Sequence, residues 1–305
     1  MTDTPTTETR ELSISEALRE AMRQAMQSDP SVFLLGEDIG VYGGAFGVTR
    51  GLHDEFGPER VVDAPISEAG TVGLAIGNAL IGGRPVVEIM FSDFTFLAFD
   101  QLINSAAKFH WVYGKDVTVP ITIRTTGGTG RSYGPTHSQS IEGFLLHAPG
   151  VKVVMPSTAE TAGGLLLAAI RDPNPVVFIE NRMLYPRKGR VTLPIEPVEL
   201  GRARVVRPGE HLTIVTYSRM VHEATAAAEA LATQGIEAEV VDLVTVSPPD
   251  TETILASVEK TGRALLVEEG VRTGGVCAEI GFRIFENLFD YLDGPIRRLA
   301  MPDTP

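Results

Sequence analysis

Short apolar runs alternate with longer amphipathic segments along nearly the whole chain of 305 residues, and this alternation limits its fold more than any other feature. Each run is long enough for a buried strand, and each intervening segment is long enough for a helix. Alternating strands and helices form parallel sheets that helices cover on both faces. The predicted strands are at residues 32–35, 85–91, 119–124, 151–155, 175–180, 211–217, 238–243, 263–268 and 296–301. The predicted helices are at residues 13–27, 71–81, 96–111, 157–170, 220–234, 251–259 and 275–289.

A proline-rich stretch interrupts this alternation and divides the chain. Its prolines are Pro186, Pro194, Pro197 and Pro208. Proline disfavours helix, and at about 150 residues per domain the length suggests two domains. We therefore predict a disordered tail at residues 1–11, a first domain at 12–185, a linker at 186–209 and a second domain at 210–305. The predicted fold class is α/β, with a doubly wound sheet in each domain.

Composition and charge exclude several classes of protein. The chain has 39 acidic and 26 basic residues, a formal net charge of −13, so nucleic acid is not an expected partner. No apolar run approaches the ~18 residues of a membrane span, and residues 1–11 lack the apolar core of a signal peptide. The single cysteine, Cys277, cannot form an internal disulfide, which favours a cytoplasmic location.

Glu68 is the first candidate for chemistry. It lies at the start of a predicted helix that carries Gly70, Gly73 and Gly77. Each glycine costs a helix about 1 kcal/mol relative to alanine, so three of them indicate that another backbone or a ligand packs closely here. Glu68 is either a proton-handling carboxylate beside the apolar Ile66, or a carboxylate that only favours the helix dipole.

Two further segments follow predicted strands, where parallel sheets present their ligand-binding loops. Residues 91–96 contain three phenylalanines, Phe94 among them, which either belong to the core or form a stacking platform for a flat ring. Residues 125–139 are rich in glycine and include His137, which is a general acid or a structural histidine. No second histidine stands at metal-ligand spacing, so a metal at His137 is not expected. The G-x-S-x-G pattern at residues 130–134 lacks the context of a serine hydrolase.

Together these segments resemble the beta subunit of the thiamine-diphosphate-dependent, decarboxylating dehydrogenase component of 2-oxo acid dehydrogenase complexes, most closely the pyruvate type. The matching motifs are GEDIG at residues 36–40, YGGAF at 42–46, DAPISE at 63–68, DQLINSAAK at 100–108, HSQS at 137–140, PGVKVV at 149–154 and AIRDPNPV at 169–176. The resemblance runs from about Leu12 to Pro305. It implies a transketolase-like pyrimidine-binding domain, followed by a domain like the C-terminal domain of transketolase.

The resemblance implies a thiamine diphosphate site in which named residues have defined roles. Glu68 would hydrogen-bond to the aminopyrimidine ring and promote the tautomer that deprotonates the thiazolium carbon. Phe94 would stack on the pyrimidine, and Ile66 would line its pocket. His137 would assist proton transfer, or stabilise charge, as the acyl group passes to a lipoyl arm. The cofactor itself accepts the electron pair when carbon dioxide leaves.

The motif that would hold the diphosphate is absent from this chain. Thiamine enzymes bind the diphosphate through Mg²⁺ and a Gly-Asp-Gly motif, which does not occur here. In the family that the chain resembles, an alpha subunit supplies this half, in a complex of two alpha and two beta chains. We therefore expect the chain to be inactive without an alpha subunit, and to act together with a lipoyl acyltransferase core.

The resemblance also implies a potassium ion. Its ligands would be the backbone carbonyls of Ile121, Ala169 and Ile170, with Asp172 and Asn174. Oxygen ligands suit a hard cation. The alternative is that residues 172–175 form only a turn.

The expected activity is oxidative decarboxylation of pyruvate with acyl transfer to lipoamide. Branched-chain 2-oxo acids and acetoin are alternative substrates, because the alpha chain contributes part of the pocket. A non-catalytic scaffold or regulatory paralogue is a second class of function, and it would have lost Glu68 or His137, which are both present. A nicotinamide oxidoreductase is a third class, and the absence of G-x-G-x-x-G counts against it.

Overall fold

The computed structural model describes residues 7–114 and 116–304. This part of the chain forms two α/β units, each built on a sheet of mainly parallel strands. The strands are β1 (Glu8–Ser13), β2 (Val32–Gly36), β3 (Val61–Asp63), β4 (Arg84–Ile89), β5 (Thr122–Gly127), β6 (Lys152–Val154), β7 (Val176–Asn181), β8 (Lys188–Leu193), β9 (Arg204–Arg207), β10 (Leu212–Thr216), β11 (Ala238–Asp242), β12 (Thr245–Ser247), β13 (Ala264–Val271) and β14 (Arg297–Met301). The helices are α1 (Ile14–Ser28), α2 (Leu52–Phe56), α3 (Glu68–Leu80), α4 (Ala107–Tyr113), α5 (Glu142–Leu146), α6 (Ala159–Arg171), α7 (Met220–Ala232), α8 (Thr251–Thr261) and α9 (Val276–Leu288).

The first sheet has the strand order β12-β6-β7-β5-β4-β2-β3, and the strands from β6 to β3 run parallel. Successive residues of a strand point to opposite faces, so Leu34 and Leu35 of β2 enter different clusters of buried apolar side chains. Helices α1 and α6 belong to one of these clusters, and α3 belongs to the other. Because helices cover both faces of the sheet, the predicted α/β class is confirmed.

Helix α1 begins where its sequence predicts. The Ser13 hydroxyl accepts a hydrogen bond from the Glu16 N–H at 3.3 Å, and the Glu16 carboxylate accepts one from the Ser13 N–H at 2.8 Å. This reciprocal pair is a capping box, which satisfies donors that a helix leaves free at its start. The local sequence alone therefore fixes this end of the helix.

The second sheet has the strand order β14-β13-β10-β11-β9, in which β9 is antiparallel to β11 and the other pairs are parallel.

Helix α8 shows how sequence sets element ends in this unit. The Asp250 carboxylate accepts a hydrogen bond from the Thr253 N–H at 3.1 Å, and Gly262 ends the helix with φ at 66°. Strand β12 leaves this unit and pairs antiparallel with β6, so the first sheet includes a strand from the second half of the chain.

The predicted tail and linker are partly wrong. Strand β1 pairs antiparallel with β8, with Glu8 opposite Leu193, so residues 8–11 are not a disordered tail; residues 1–6 lie outside the described residues. The predicted linker contains β8 and also β9, which joins the second sheet. Prolines exclude helix, but strand ends and edges tolerate them, and the pairing partners are distant in sequence. Composition alone does not indicate such pairing.

One predicted helix differs in its geometry. The sequence predicts a single helix at residues 96–111, whereas the structure has a 3₁₀ segment at Ser92–Ala98 and a π-helical segment at Asp100–Ala106, followed by α4. Apolar periodicity does not distinguish these forms from an α-helix. The π-helical turn is rare and frequently occurs at functional sites, which fits the position of this segment after β4.

Candidate functional site

The loops that the sequence singles out gather at one edge of the first sheet. Strands β2, β3, β4, β5 and β7 are parallel, so their carboxyl ends all lie at this edge. The segments after them carry Glu37, Glu68, Phe94, His137 and Arg182. Open α/β sheets bind ligands outside the carboxyl ends of their strands. This region, the carboxyl edge, is therefore the candidate site.

Glu68 is the first residue of α3 and is half-buried. Free N–H groups in the first turn of a helix favour a carboxylate at this position. Burial raises the pKa of the Glu37 carboxyl, and the negative charges of Glu68 and Asp38 raise it further. The negative charge of Glu68 thus acts on Glu37, and a proton on Glu37 would relieve the repulsion between the two carboxyls.

The glycine-rich face of α3 is not covered by the described part of this chain. A Cβ added at Gly77 would meet nothing within 4 Å, and one at Gly73 would meet Gln101 at 3.7 Å. The apolar side chains of Ile66 and Leu74 are 84% and 62% exposed. The close packing that the sequence predicts for this helix would therefore have to come from a molecule outside the chain.

Phe94 and His137 lie in contact at the carboxyl edge. The His137 ring stands edge-on to Phe94, with centroids 5.3 Å apart, and edge-on to Phe91, with centroids 4.6 Å apart. The Thr136 hydroxyl lies 3.0 Å from His137 Nδ1. The ring is half-buried among these groups, which give it a defined orientation. A defined orientation is what a proton-handling histidine needs.

Further hydrogen bonds tie the loop of His137 to the segment of Phe94. The buried Asp93 carboxylate accepts from the Gln139 side-chain amide at 2.8 Å and from its backbone N–H at 3.4 Å. The Ser92 hydroxyl donates to the Gln139 carbonyl at 3.1 Å. These bonds join segments that are far apart in sequence and fix their relative position.

Arg182 follows β7 and packs under the same loop. Its Nη2 donates to the carbonyl oxygens of His137 at 2.7 Å and Gly128 at 3.2 Å. Its guanidinium lies 4.8 Å from the ring centroid of Phe91 and 4.7 Å from that of Tyr133. Burial lowers the pKa of this guanidinium. Sequence reasoning missed Arg182, and its position directly after a buried strand is the signal that could have indicated it.

A buried ion network, the Arg124 network, lies inside the sheet below this edge. Arg124 of β5 donates to Glu180 at 2.8 and 2.9 Å and to Glu88 at 2.7 Å, and Tyr185 donates to Glu180 at 2.6 Å. Burial alone would lower the pKa of the Arg124 guanidinium, but the two carboxylates outweigh burial and raise it. A Cβ at Gly44 would lie 3.1 Å from Glu88 Oε1, so the loop after β2 passes close to the network.

The second unit holds both ends of the loop that contains His137. The Glu269 carboxylate of β13 accepts from the Thr129 N–H at 2.7 Å, near the start of the loop. At its end, Tyr217 donates to Glu142 at 3.0 Å, and burial raises the pKa of Glu142 to about 7. The geometry of the carboxyl edge therefore depends on both units.

The residues of the predicted potassium site also come together, at the opposite edge of the sheet. The Ile121 carbonyl accepts from the Val176 N–H at 3.0 Å, and the Ala169 carbonyl accepts from the Asp172 N–H at 3.2 Å. Asp172 Oδ1 accepts from the Asn174 N–H at 2.9 Å. These oxygens form one corner, where strands β5 and β7 begin.

Two cationic side chains already bind oxygens at this corner. Lys152 pairs with Asp172 Oδ2, and Arg84 donates to the Ile170 carbonyl at 2.9 Å. Each carbonyl keeps a second lone pair, so a monovalent ion would share these oxygens with the two side chains. Across residues 7–114 and 116–304, no group of three or more His, Cys, Asp or Glu side chains is placed to hold a metal.

Comparison with known proteins finds relatives of nearly the whole chain. Residues 10–188 match the transketolase pyrimidine binding domain, and residues 201–305 match the transketolase C-terminal domain. The pyruvate dehydrogenase E1 component subunit beta of Rickettsia conorii is 46% identical over 295 residues, which cover 97% of this chain and 90% of that protein. The mitochondrial pyruvate dehydrogenase E1 component subunit beta-1 of Arabidopsis thaliana is 45% identical over 304 residues, with coverage of 97% and 83%.

A solved structure confirms the fold independently. The structure titled split gene transketolase, inactive beta4 tetramer, matches with a TM-score of 0.76 at 24% identity. The match covers 96% of this chain and 90% of that chain. Two transketolase-type units in this order are therefore supported by sequence and by structure.

Proposed function

The chain belongs to the family of pyruvate dehydrogenase E1 component beta subunits, and we propose that it is the beta subunit of a 2-oxo acid dehydrogenase component. Together with an alpha subunit, it catalyses thiamine-diphosphate-dependent oxidative decarboxylation of pyruvate and transfer of the acyl group to a lipoyl domain. The observation that carries this proposal is the contact of Phe94 with His137 at the carboxyl edge, next to the helix that Glu68 begins.

The carboxyl edge suits the aminopyrimidine half of thiamine diphosphate. When bound, the cofactor supplies the electron sink for decarboxylation. Glu68 would hydrogen-bond to a nitrogen of the ring and exchange a proton with it, a role that suits a half-buried carboxyl at the start of a helix. Phe94 would stack against the ring, and Ile66 would line the pocket once a partner covers this exposed face.

His137 is the proposed proton-handling group on the other side of the pocket. Phe91 and Phe94 hold its ring edge-on, and Arg182 binds its backbone carbonyl. In this orientation it donates a proton, or stabilises negative charge, while the acyl group moves to the lipoyl arm. The scaffold alternative gains no support, since both Glu68 and His137 lie at the same edge.

The Mg²⁺-diphosphate half of the site falls to the alpha subunit. The chain has no Gly-Asp-Gly motif and carries a net charge of −13, which disfavours a diphosphate held by this chain alone. The uncovered face of α3 and the exposed Val41 and Tyr42 offer apolar surface that a partner would bury. We propose two alpha and two beta chains, served by a lipoyl acyltransferase core.

Pyruvate is the proposed substrate because the relatives named above are pyruvate dehydrogenase subunits. Branched-chain 2-oxo acids and acetoin are the alternative substrates. Within the described residues, no helix combines the length and apolar character needed to cross a bilayer. The cytoplasmic location stays a prediction, since the Arabidopsis relative is named mitochondrial.

A potassium ion at the corner of Ile121, Ala169, Ile170, Asp172 and Asn174 is also proposed. Its support is the convergence of carbonyl and carboxylate oxygens from residue 121 and from residues 169–174. The ion would serve structure rather than chemistry, because the corner lies at the sheet edge opposite His137.

The proposal is tested by co-expressing the chain with an alpha subunit that bears Gly-Asp-Gly. Thiamine-dependent turnover of pyruvate, 2-oxoisovalerate and acetoin is then measured for the complex and for each chain alone. We expect turnover only in the complex, with pyruvate preferred. Decarboxylation by this chain alone would contradict the division of the site between two subunits.

Glu68→Gln should lower turnover of the complex by roughly 100- to 10,000-fold, since this is the contribution of general acid–base groups. The exposed Glu59→Gln is the matched control, because it removes a carboxyl away from the carboxyl edge. If Glu68→Gln retained most of its activity, at a level like that of the control, the catalytic role proposed for Glu68 would be wrong.

A further inference from the structure

Within the described residues, Arg182 carries a buried positive charge that forms no ion pair. Burial lowers the pKa of its guanidinium and outweighs the Asp93 carboxylate, which raises that pKa only through space. The Arg182 side chain is 2% exposed, and across residues 7–114 and 116–304 no carboxylate oxygen lies within 4.0 Å of its nitrogens. In the same part of the chain, its buried Nε and Nη1 groups have no acceptor. Buried charges are normally paired, so an unpaired one at the candidate site calls for an explanation by function.

The hydrogen bonds that Arg182 does make join the two ends of one loop, residues 128–137, called the His137 loop. Nη2 donates to the carbonyls of Gly128 and His137 at 3.2 and 2.7 Å. Within the loop, Gly130 and Ser132 have φ at 94° and 57°. Such left-handed residues interrupt regular hydrogen bonding, so contacts from outside the loop are needed to hold its shape.

The guanidinium and the His137 ring also share one aromatic neighbour. Arg182 lies 4.8 Å from the centroid of Phe91, and the His137 ring lies 4.6 Å from the same centroid. Tyr133, from the middle of the loop, covers the guanidinium at 4.7 Å. Aromatic faces attract a cation, and more so where water is excluded. Arg182, Phe91 and the His137 loop therefore pack as one unit.

We propose that Arg182 is a positioning residue that clamps the His137 loop and thereby orients His137 toward the reacting atoms. The planar guanidinium suits this task because it reaches two carbonyls at once while its faces stack on rings, which an ammonium group cannot do. The consequence for catalysis rests on the proposed function, because it requires that His137 take part in the reaction. The clamp itself is a property of this chain.

Steady-state kinetics of the complex with an alpha subunit test the catalytic consequence. Arg182→Met and Arg182→Lys are compared with the exposed Arg187→Met as the matched control. Arg182→Met should lower kcat about 100-fold, because a displacement of ~1 Å costs a factor of this order. KM should change by less than about threefold, because the substitution should weaken stabilisation of the transition state and leave ground-state binding of the substrate unchanged. Arg182→Lys should recover part of kcat, because it keeps the charge and one donor nitrogen but cannot stack on the rings.

Limited trypsin digestion of the full chain tests the clamp without any activity. Arg131 is exposed in the middle of the His137 loop and offers a cleavage site. Arg182→Met should be cleaved after Arg131 at least about tenfold faster than Arg187→Met, at an unchanged melting temperature, because local opening is separate from global unfolding. If Arg182→Met does not fold, Arg182→Lys serves in both assays, with a smaller expected change.

Two results would overturn the clamp. The first is a loss of kcat with unchanged cleavage after Arg131, which would mean that Arg182 acts on the substrate rather than through the loop. The second is unchanged kcat together with unchanged cleavage. A wild-type complex that does not decarboxylate any of the three substrates would refute the proposed function instead, and digestion after Arg131 would still test the clamp.

Discussion

Two buried arginines of the first unit, one on β5 and one directly after the neighbouring β7, have opposite surroundings. Arg124 and Arg182 are both 2% exposed. Arg124 forms ion pairs with Glu88 and Glu180 at 2.7 and 2.8 Å, whereas Arg182 binds carbonyls and aromatic faces. The charge of Arg124 is neutralised inside the sheet. The charge of Arg182 has no ion-pair partner within the described residues and lies where the strands end.

The difference separates a charge that supports the fold from a charge that supports the site. Removing one member of a buried ion pair leaves uncompensated charge behind, so stability depends on all members. Removing a cation that has no ion-pair partner leaves no carboxylate uncompensated. Its loss should therefore affect mainly the loop that it binds. We therefore expect Arg124 substitutions to change stability and Arg182 substitutions to change activity.

Arg124→Met should give the largest effect on stability. The free energy of unfolding should fall by about 3–5 kcal/mol, because Glu88 and Glu180 would face each other without their cation. Urea unfolding of the full chain measures this loss. Lowering the pH should reduce the loss, because burial raises the pKa of Glu180 and its protonation removes part of the uncompensated negative charge.

The exposed Arg187→Met provides the control for Arg124→Met and should stay within about 0.5 kcal/mol of wild type. If Arg124→Met were as stable as this control, the Arg124 network would not support the fold. The distinction between the two buried arginines would then fail.

Glu142 is a buried ionisable group of a third kind. It is neutralised by a proton, whereas Arg124 is paired with carboxylates and Arg182 binds carbonyls and aromatic rings. Its pKa is raised from 4.5 to about 7, chiefly by burial, so between these values the folded chain keeps a proton that the unfolded chain releases. Stability should therefore fall as the pH rises through this window, by up to about 1.4 kcal/mol per pH unit from this group. Glu142→Gln should flatten the dependence measured by urea unfolding at several pH values.

The exposed Glu259→Gln is the control for Glu142→Gln and should keep the wild-type slope. Burial also raises the pKa of Glu268, which Tyr217 joins to Glu142, so part of the slope should persist in Glu142→Gln. An identical slope in wild type and Glu142→Gln would show that Glu142 does not carry the buried proton.

The smallest expected effect concerns Asp172, whose charge is paired with Lys152 at the opposite edge. If potassium binds there, 100 mM KCl should raise the free energy of unfolding by about 1 kcal/mol over 100 mM choline chloride, because binding favours the folded state. Asp172→Asn should abolish the difference, and the exposed Asp54→Asn should keep it. A difference that persists in Asp172→Asn would place any potassium effect elsewhere.

Sequence reasoning succeeded where the signal is local. Helix α1, predicted at residues 13–27, spans Ile14–Ser28, because its capping box and its apolar periodicity lie within the element itself. It failed at β1, which pairs with β8 about 180 residues further along the chain. Strand pairing at that distance leaves no local mark, and a polar, proline-flanked strand has the same composition as a tail or a linker.

The same limit applies to the carboxyl edge. Motif resemblance indicated Glu68, Phe94 and His137 as candidates, and the structure brings Phe94 and His137 into contact. Their catalytic roles stay predictions. Arg182 belongs to no motif recognised in the sequence, and its bonds to Gly128 and His137 span 54 and 45 residues.

The sequence by itself determined the α/β class and the family, because strand and helix periodicities and the family motifs are properties of short segments. The missing Gly-Asp-Gly is likewise visible in the sequence, and it motivates the proposal of a second chain. Only the tertiary structure decided which buried arginine is paired. Glu88 and Glu180 lie 36 and 56 residues from Arg124 and become its neighbours through the parallel sheet. Charge pairing depends on distance in space, which the order of the strands sets and the local sequence does not.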